Sequence, residues 1–496
     1  MASVGQGMGA VKLGNGTLTQ LPEGVLKPLY DRTRLTPGIV HIGLGNFHRA
    51  HQAWFLHRLM QNGKAHDWAI VGAGVRPADT FMRDKLLGQD CLTTLVELDP
   101  SGGAVEITGA MIDFLPVEQG NAALIAQMTA PEIRIVSLTV TEGGYYRNAN
   151  GDLDTAHPDI AHDAANPNAP RTAFGAIVAA LRARRDAGIG PFTAQCCDNL
   201  QHNGDVLRST IVGLAALSDP DLAGWINANC SFPNAMVDCI VPATGPVELA
   251  SVHALGIDDA APVTHENYRQ WVIEDDFCAG RPPWEDVGAT LTDAVHRYET
   301  MKIRVLNAGH QVLANLGELL GAQTIADCME HAEIAAFFQK VQRDEILSHV
   351  QAVPDVAPLD YLELVSRRFA NPMIHDTTRR VAFDGSSRHA GFILPIIRDA
   401  LAADAPIDGL ALTEALWSRM CAGTREDGSE IAPNDPQWDT LTAFAALSRD
   451  APRHWLTNTS VYGDLGENER FAAAFETQLR AVWDQGSAAA VRAYTG

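Results

Sequence analysis

Between Tyr298 and Leu316 the chain carries four side chains able to move a proton or hold an oxygen: Glu299, Lys302, Asn307 and His310. Read as a helix at about 100° per residue, this stretch places Arg304, Gln311, Asn315 and Glu318 on one side as a solvent-facing stripe. Ile303, Leu306, Leu313 and Ala314 gather on the other side, and the four chemical groups fall among them. Burying such groups costs free energy unless they are partnered or used. Two explanations stand. One is a polar network with an ion pair between Glu299 and Lys302, three residues apart; the other is a lysine base, an amide donor and an imidazole aimed into one pocket.

Something must position that helix. The chain has 496 residues with 46% apolar, enough for two or three domains. After Pro37, Gly38-Ile39-Val40-His41-Ile42 reads as a buried strand, followed by Gly43-Leu44-Gly45 and a helix from Asn46 to about Met60. A strand, a Gly-x-Gly turn and a helix open a dinucleotide-binding unit, in which glycine lets backbone approach a pyrophosphate seated on the helix N-terminus. His48 stands where the third glycine of G-x-G-x-x-G belongs, so an ordinary tight turn competes with this reading. Trp68 to Gly72 reads as the second strand, with Arg76 and Asp79 just beyond. An acid there suits a ribose 2′-hydroxyl and an arginine a 2′-phosphate. The expectation is NAD, with NADP the weaker alternative. The cofactor candidates are Gly43, Gly45, Asn46 and Phe47 in the turn, Asp79, and Thr141 and Glu142 after the strand Ile133 to Thr139.

Further strands are expected over 92–98, 105–112 and 192–197, and helices over 122–128 and 173–187; 1–36 reads as a loose lead-in and 148–170 as a loop. His157 and His162 in that loop lack a carboxylate or thiol at metal-ligand spacing, and no metal is expected. Asn199 follows the strand ending at Cys197, where doubly wound sheets collect functional groups, and Asp238 follows Phe232-Pro233-Asn234. Past about 295 the pattern turns helical, for example over 332–348, 359–369, 390–401 and 468–494. The expected architecture is therefore a Rossmann-type doubly wound domain over 1–290, then a mostly α-helical substrate and catalytic domain over 291–496, with substrate in a cleft between them.

The formal charge of −23, from 60 acidic and 37 basic residues, excludes nucleic acid and anionic membrane as natural partners. Eight cysteines without a C-x-x-C, no signal-like N-terminus and no apolar run near 18 residues point to a cytoplasmic protein with reduced thiols. Tyr298 and Lys302 form a Y-x-x-x-K pair like that of short-chain dehydrogenases, but the glycine loop of that class is missing. A zinc alcohol dehydrogenase would need a ligand set this chain does not gather.

Six motifs occur in one order: Gly-Leu-Gly-Asn-Phe-His-Arg-Ala-His at 43–51, Thr-Glu-Gly-Gly-Tyr at 141–145, Cys-Asp-Asn-Leu-Gln-His-Asn-Gly at 197–204, Phe-Pro-Asn-Ala-Met-Val-Asp at 232–238, Lys-x5-Asn-x2-His at 302–310 and Asp-Gly-Ser-Ser-Arg at 384–388. In this the chain resembles the polyol-specific long-chain dehydrogenases, and within them the mannitol 2-dehydrogenases. The resemblance implies metal-free hydride transfer between NAD and a secondary alcohol of a sugar alcohol. It implies Lys302 as general base, Asn199 and Asn307 holding the substrate oxygen, His310 positioning it, Glu299 gating proton exchange, and Asp238, Arg380 and Arg388 bordering the polyol. A lysine base needs its ordinary pKa of about 10.4 lowered, which apolar burial and a neighbour such as Arg380 would do. Arg388 stands where lysine is frequent and Ala78 where an acid is, which leaves the particular polyol and the strictness toward NADP open. Fructuronate and tagaturonate reductases share the core motifs and are the enzyme alternative; their Thr-Glu-Lys-Gly-Tyr differs from the motif here. A catalytically silent nucleotide sensor is the other, and intact Lys302, Asn307 and His310 argue against it. The expected state is a monomer or weak oligomer.

Overall fold

The computed structural model describes residues 9–148, 151–354 and 356–496, with the side chain of Glu142 excepted. The chain divides into two units, Met1–His296 and Arg297–Gly496, and the division falls inside the helix Val295–Met301.

The first unit is built on a five-stranded sheet in the order Met111–Phe114, Ala69–Ala73, Pro37–Ile42, Ile135–Leu138, Thr193–Cys196, with every pairing parallel. The first strand in sequence lies in the middle, two later strands extend the sheet on one side and two on the other. This is the doubly wound order with its switch point at the carboxyl end of Pro37–Ile42. Alternation sorts the strand residues to two cores. Val40, Val71 and Val136 bury one way, with Ile177, Leu207 and Ile226, whereas Ile39, Ile70 and Ile135 bury the other way, with Phe55, Leu56 and Trp271. Smaller sheets flank it: Thr93–Leu98 between Val105–Thr108 and Val263–Glu266, Gln270–Ile273 between Ala235–Asp238 and Thr290–Leu291, and a pair from Val11–Lys12 and Ile257–Asp258. That last pair and the short 3-10 turn Asn15–Gln20 give form to part of the expected loose lead-in. The expected loop 148–170 likewise contains a helix, Pro158–Ala165, started by proline at its first position and by His157, whose Nδ1 accepts from Asp159 N. That bond, and the pairing of His162 with Asp163 at 3.2 Å, account for two histidines weighed as metal ligands. Among the described residues no group of three or more His, Cys, Asp or Glu side chains is placed to hold a metal ion, and all eight cysteines are free thiols.

The second unit is helical. Ala308–Leu320 is its central helix, packed by Thr378–Ala382, Asp408–Met420 and Ala332–Val341. Three expected helices contain a π turn, at Lys302–Asn307, Gln342–Ile346 and His389–Ile393, and the second and third pack against the first. The expected helix 468–494 is two, Glu469–Gln485 and Ser487–Thr495, divided at Gly486. Among the described residues no helix is long and apolar enough to cross a membrane.

The polar stripe of the central helix is not solvent-facing. Gln311, Asn315 and Glu318 are 1%, 1% and 2% exposed. Gln311 Nε2 donates to Val381 O at 3.1 Å, Asn315 Nδ2 lies 2.9 Å from His389 Nε2, and the Glu318 carboxylate pairs with Arg425 at 2.5 Å and Arg379 at 3.8 Å. Partners some 61 to 107 residues further along the chain engage side chains that a helical wheel assigns to water.

Candidate functional site

In the first unit the turn after Pro37–Ile42 is shaped by contact. Gly43 has φ +98°, and a Cβ on it would lie 2.2 Å from Thr139 O, so only glycine lets the two strand ends meet. Below this turn His41 bonds Ser137 Oγ at 2.7 Å and Thr139 Oγ1 at 2.9 Å. His48, in the place of the third glycine, is buried with its ring stacked on His41 at 3.4 Å. The helix that carries it, Asn46–Ala50, is a single short piece that breaks at His51 before Gln52–Gln61 begins. Burial holds His41 neutral, its pKa lowered to about 3, and likewise pushes the His48 pKa well below its ordinary value.

Above the turn opens a cleft of about 1010 Å3, lined among others by Gly43, Gly45, Asp79, Thr141, Gly144 and Arg171. Asp79 sits in the first turn of Asp79–Leu87, its Oδ2 accepting from Val75 N at 3.0 Å and Arg76 N at 2.9 Å. The structure thus gathers four of the seven cofactor candidates. Asn46 faces elsewhere: its Nδ2 donates to Thr244 Oγ1 at 2.9 Å and Pro242 O at 3.1 Å, and its Oδ1 accepts from Arg49. Phe47 stacks on His51 at 4.8 Å. The backbone of Glu142 forms part of the 3-10 turn Glu142–Tyr145, and its side chain lies outside the described residues. Two lining residues carried no signal in the sequence reading: Arg171, just past a segment read as loop, and Phe81, a 69% exposed aromatic two residues beyond Asp79.

Asn199 follows the strand Thr193–Cys196 and Asp238 ends Ala235–Asp238. Buried Asn203 ties these segments together, Nδ2 donating to Ala235 O at 2.7 Å and Asp198 O at 3.1 Å while Oδ1 accepts from Ala235 N at 2.8 Å. A Cβ on Gly204 would lie 2.3 Å from Phe232 O. Asn203 and Gly204, the last two residues of the Cys-Asp-Asn-Leu-Gln-His-Asn-Gly motif, thus dock it against Phe-Pro-Asn-Ala-Met-Val-Asp.

In the second unit Lys302 opens the π turn and Asn307 closes it, with Ala308 N donating to Ile303 O. On an uninterrupted α-helix the two would lie about 140° apart. The i→i+5 turn brings residues five apart to nearly one turn, so Lys302, Asn307 and His310 share a side. Gln342, from the second π turn, donates to Val305 O at 2.9 Å and so satisfies a carbonyl within the widened turn. Gly309 admits it: a Cβ there would lie 2.8 Å from both Gln342 Nε2 and Phe338 Cε2. Glu299 and Lys302 are 6% and 7% exposed.

His310 lies flat on Phe369, centroids 4.2 Å apart, and its Nε2 is shut off from water with no hydrogen-bond partner among the described residues. Burial, with Arg380, Arg368 and Arg388 adding to it and Asp376 opposing, lowers its pKa to about 3, so the ring is a neutral imidazole. Arg380 is held by a bidentate pair with Asp376, 2.6 Å on each arm. Arg388 donates to Val381 O. The unit thus sets His310 beside cationic Arg380 and Arg388, and Asp376, absent from the sequence candidates, fixes one of them.

A doubly wound sheet with a glycine turn and an acid after its second strand, followed by a helical unit bearing a buried lysine, amide and imidazole, defines a nicotinamide-dinucleotide-dependent dehydrogenase class. The chain belongs to the mannitol dehydrogenase family: the family's Rossmann-domain model matches residues 37–286 and its C-terminal-domain model residues 294–483. It is 55% identical to the mannitol 2-dehydrogenase of Cereibacter sphaeroides over 474 residues, 96% of this chain and 99% of that one. Among solved structures it is similar to Pseudomonas fluorescens mannitol 2-dehydrogenase in ternary complex with NAD and D-mannitol, at 39% identity, TM-score 0.86, 98% of this chain and 99% of that one. A D-sorbitol dehydrogenase in substrate-free form is similar at 34% identity and TM-score 0.89, covering 97% of this chain and all of the other.

Proposed function

We propose that this chain oxidises a secondary alcohol of a sugar alcohol to the ketone, D-mannitol to fructose or a close polyol equivalent, with NAD and without a metal. The observation that carries the reading is the re-phased helix: Lys302, Asn307 and His310 on one side, with the Nε2 of a neutral His310 buried and unsatisfied by the described residues. A dry, unfilled acceptor or donor beside a lysine is what a substrate hydroxyl requires. Membership of the mannitol dehydrogenase family and the relatives named above support the same reaction.

In this reading Lys302 takes the hydroxyl proton, and Asn307 and Asn199 stabilise the oxygen as negative charge develops, in the manner of an oxyanion hole. His310 orients that oxygen, Glu299 passes the proton to water, and Asp238, Arg380 and Arg388 hold the remaining hydroxyls. NAD, when bound, supplies the hydride acceptor. The first unit's residues fit it: at Gly45, the second glycine of the turn, the space around a Cβ position is open to an approaching pyrophosphate, and Asp79 keeps Oδ1 for the ribose after Oδ2 is spent on Val75 and Arg76.

Purified protein assayed with NAD against mannitol, sorbitol, arabinitol and xylitol, and with NADH against fructose, fructuronate and tagaturonate, tests this directly. Activity confined to the two uronates would replace the polyol assignment with a sugar-acid reductase. Full activity is expected after prolonged chelation. Lys302→Ala is expected to lower kcat by roughly 10²- to 10⁴-fold, the range for general-base catalysis; near-native turnover at the pH optimum would remove Lys302 from that role.

A further inference from the structure

One carboxylate joins the ends of two neighbouring parallel strands, Ile135–Leu138 and Thr193–Cys196. Asp198 Oδ2 accepts from Val140 N at 3.0 Å and from Tyr145 Oη at 2.7 Å, and its Oδ1 accepts from Thr141 N at 2.9 Å. The group is 8% exposed. Thr141 lies at φ 68°, ψ 161°, a backbone region occupied almost only by glycine and held by another residue only where its surroundings over-determine it. A β-branched side chain makes the conformation costlier still. The constraint here is visible: the backbone N–H groups of Val140 and Thr141 are both captured by the same carboxylate, and Tyr145, at the far end of the 3-10 turn, grips it from the other side. Val140, Thr141 and Gly144 line the cleft that holds Gly43 and Asp79.

We propose that Asp198 is a positioning residue for cofactor binding, its carboxylate holding the strained Thr141 turn in the form that walls the dinucleotide cleft. The proposal rests on the NAD-dependent reading above. An asparagine cannot replace this carboxylate. Its single oxygen can serve Thr141 N–H or Val140 N–H, but its NH2 must then face the other. The Tyr145 hydroxyl can rotate to accept from that NH2, whereas a backbone N–H cannot.

The test uses the full-length protein, with NADH dissociation followed by fluorescence, KM for NAD and mannitol, kcat, and the thermal midpoint. Asp198→Asn is expected to weaken NADH binding by tenfold or more and raise KM for NAD in step. Tyr145→Phe, which leaves both backbone bonds in place, is expected to change NADH affinity by less than twofold. A merely structural role would lower the thermal midpoint of both variants and leave the affinity of the folded molecules unmoved; that result overturns the proposal. Thr141→Gly removes the strain and supplies the comparison if Asp198→Asn does not fold alone. In the glycine background, adding Asp198→Asn is expected to cost less than threefold in NADH affinity, and a full tenfold loss there means Asp198 acts by some route other than the turn. Wild-type protein that fails to bind NADH would sink the parent reading instead, an outcome distinct from either.

Discussion

Replacing Gly309 by alanine sets two effects of opposite sign against each other on the helix that carries Lys302, Asn307 and His310. On an exposed helix, alanine in place of glycine stabilises by about 1 kcal/mol. Here the new methyl would lie 2.8 Å from Gln342 Nε2 and from Phe338 Cε2, and 3.6 Å from Phe369 Cε2. Overpacking of this kind costs roughly 1–3 kcal/mol. Pushing Gln342 away also strands Val305 O, a buried group whose lost partner costs roughly 1–3 kcal/mol more. Taking about 2 kcal/mol for each cost against about 1 for the gain, the variant should be less stable by roughly 3 kcal/mol. At about 2–4 °C per kcal/mol for a unit of this size, the midpoint falls by about 9 °C. The site should feel it too, because Phe369 is the surface on which His310 lies. The assay is differential scanning calorimetry with NADH affinity and polyol kinetics on the same preparation. Expected are a lower midpoint, unchanged NADH affinity and kcat/KM for the polyol down at least tenfold. A variant more stable than the parent would show that the Gln342 contact does not constrain the π turn and would refute the reasoning.

Two further outcomes follow from the same geometry. Asp79→Ser removes the carboxylate that faces an incoming 2′-phosphate while leaving a hydroxyl near Val75 N and Arg76 N; the ratio of kcat/KM for NADP to that for NAD should rise at least tenfold, and an unchanged ratio would take Asp79 out of cofactor discrimination. His41, His265 and His310 are buried neutral with pKa lowered to about 3, against about 6.5 when unfolded, so their stabilisation is complete above about pH 6.5 and is lost as pH falls toward 3. Each can add up to about 1.4 kcal/mol per pH unit to the slope of stability over that window. Urea midpoints measured from pH 6.5 to 4 should fall steeply, less so in His265→Gln, and a flat profile would contradict the burial of these rings.

The sequence made the dinucleotide-binding half legible because its signals are local: the buried run Gly38 to Ile42, the Gly43-Leu44-Gly45 turn and the acid at 79 all act within their own strand and helix. It also marked Lys302, Asn307 and His310, whose polarity conflicts with their apolar side. It misassigned Gln311, Asn315 and Glu318, since residue type reports polarity while the bonding partners, His389 and Arg425 among them, are fixed only by tertiary packing. The π turn was invisible for a related reason: a wheel drawn with one period has no place for a local change of period, and the side chain that satisfies a carbonyl inside it, Gln342, comes from another helix. Asn46 looked like a phosphate-loop residue by position, but its amide is spent on Pro242 and Thr244. Asp376 and Arg171 could not be found at all without coordinates, because the first matters through Arg380 and the second through the cleft it reaches.

The widened turn at Lys302–Asn307 sets what kind of genetic change this protein can absorb. Between residues 302 and 307 the widened turn carries one residue more than ordinary helical phase requires, so removing one would close it and leave His310 within about 20° of Lys302, whereas adding one would swing everything downstream by about 100° and carry His310 off the side it shares with Lys302. Substitutions there alter one side chain, whereas a single-codon insertion would alter the aim of the whole following helix. On the polyol-oxidising reading, a new preference is therefore best sought by varying identity at Arg380, Arg388 and Asp238 without lengthening the 302–310 segment. A library that permits insertions in that segment would spend most of its members on misdirected helices.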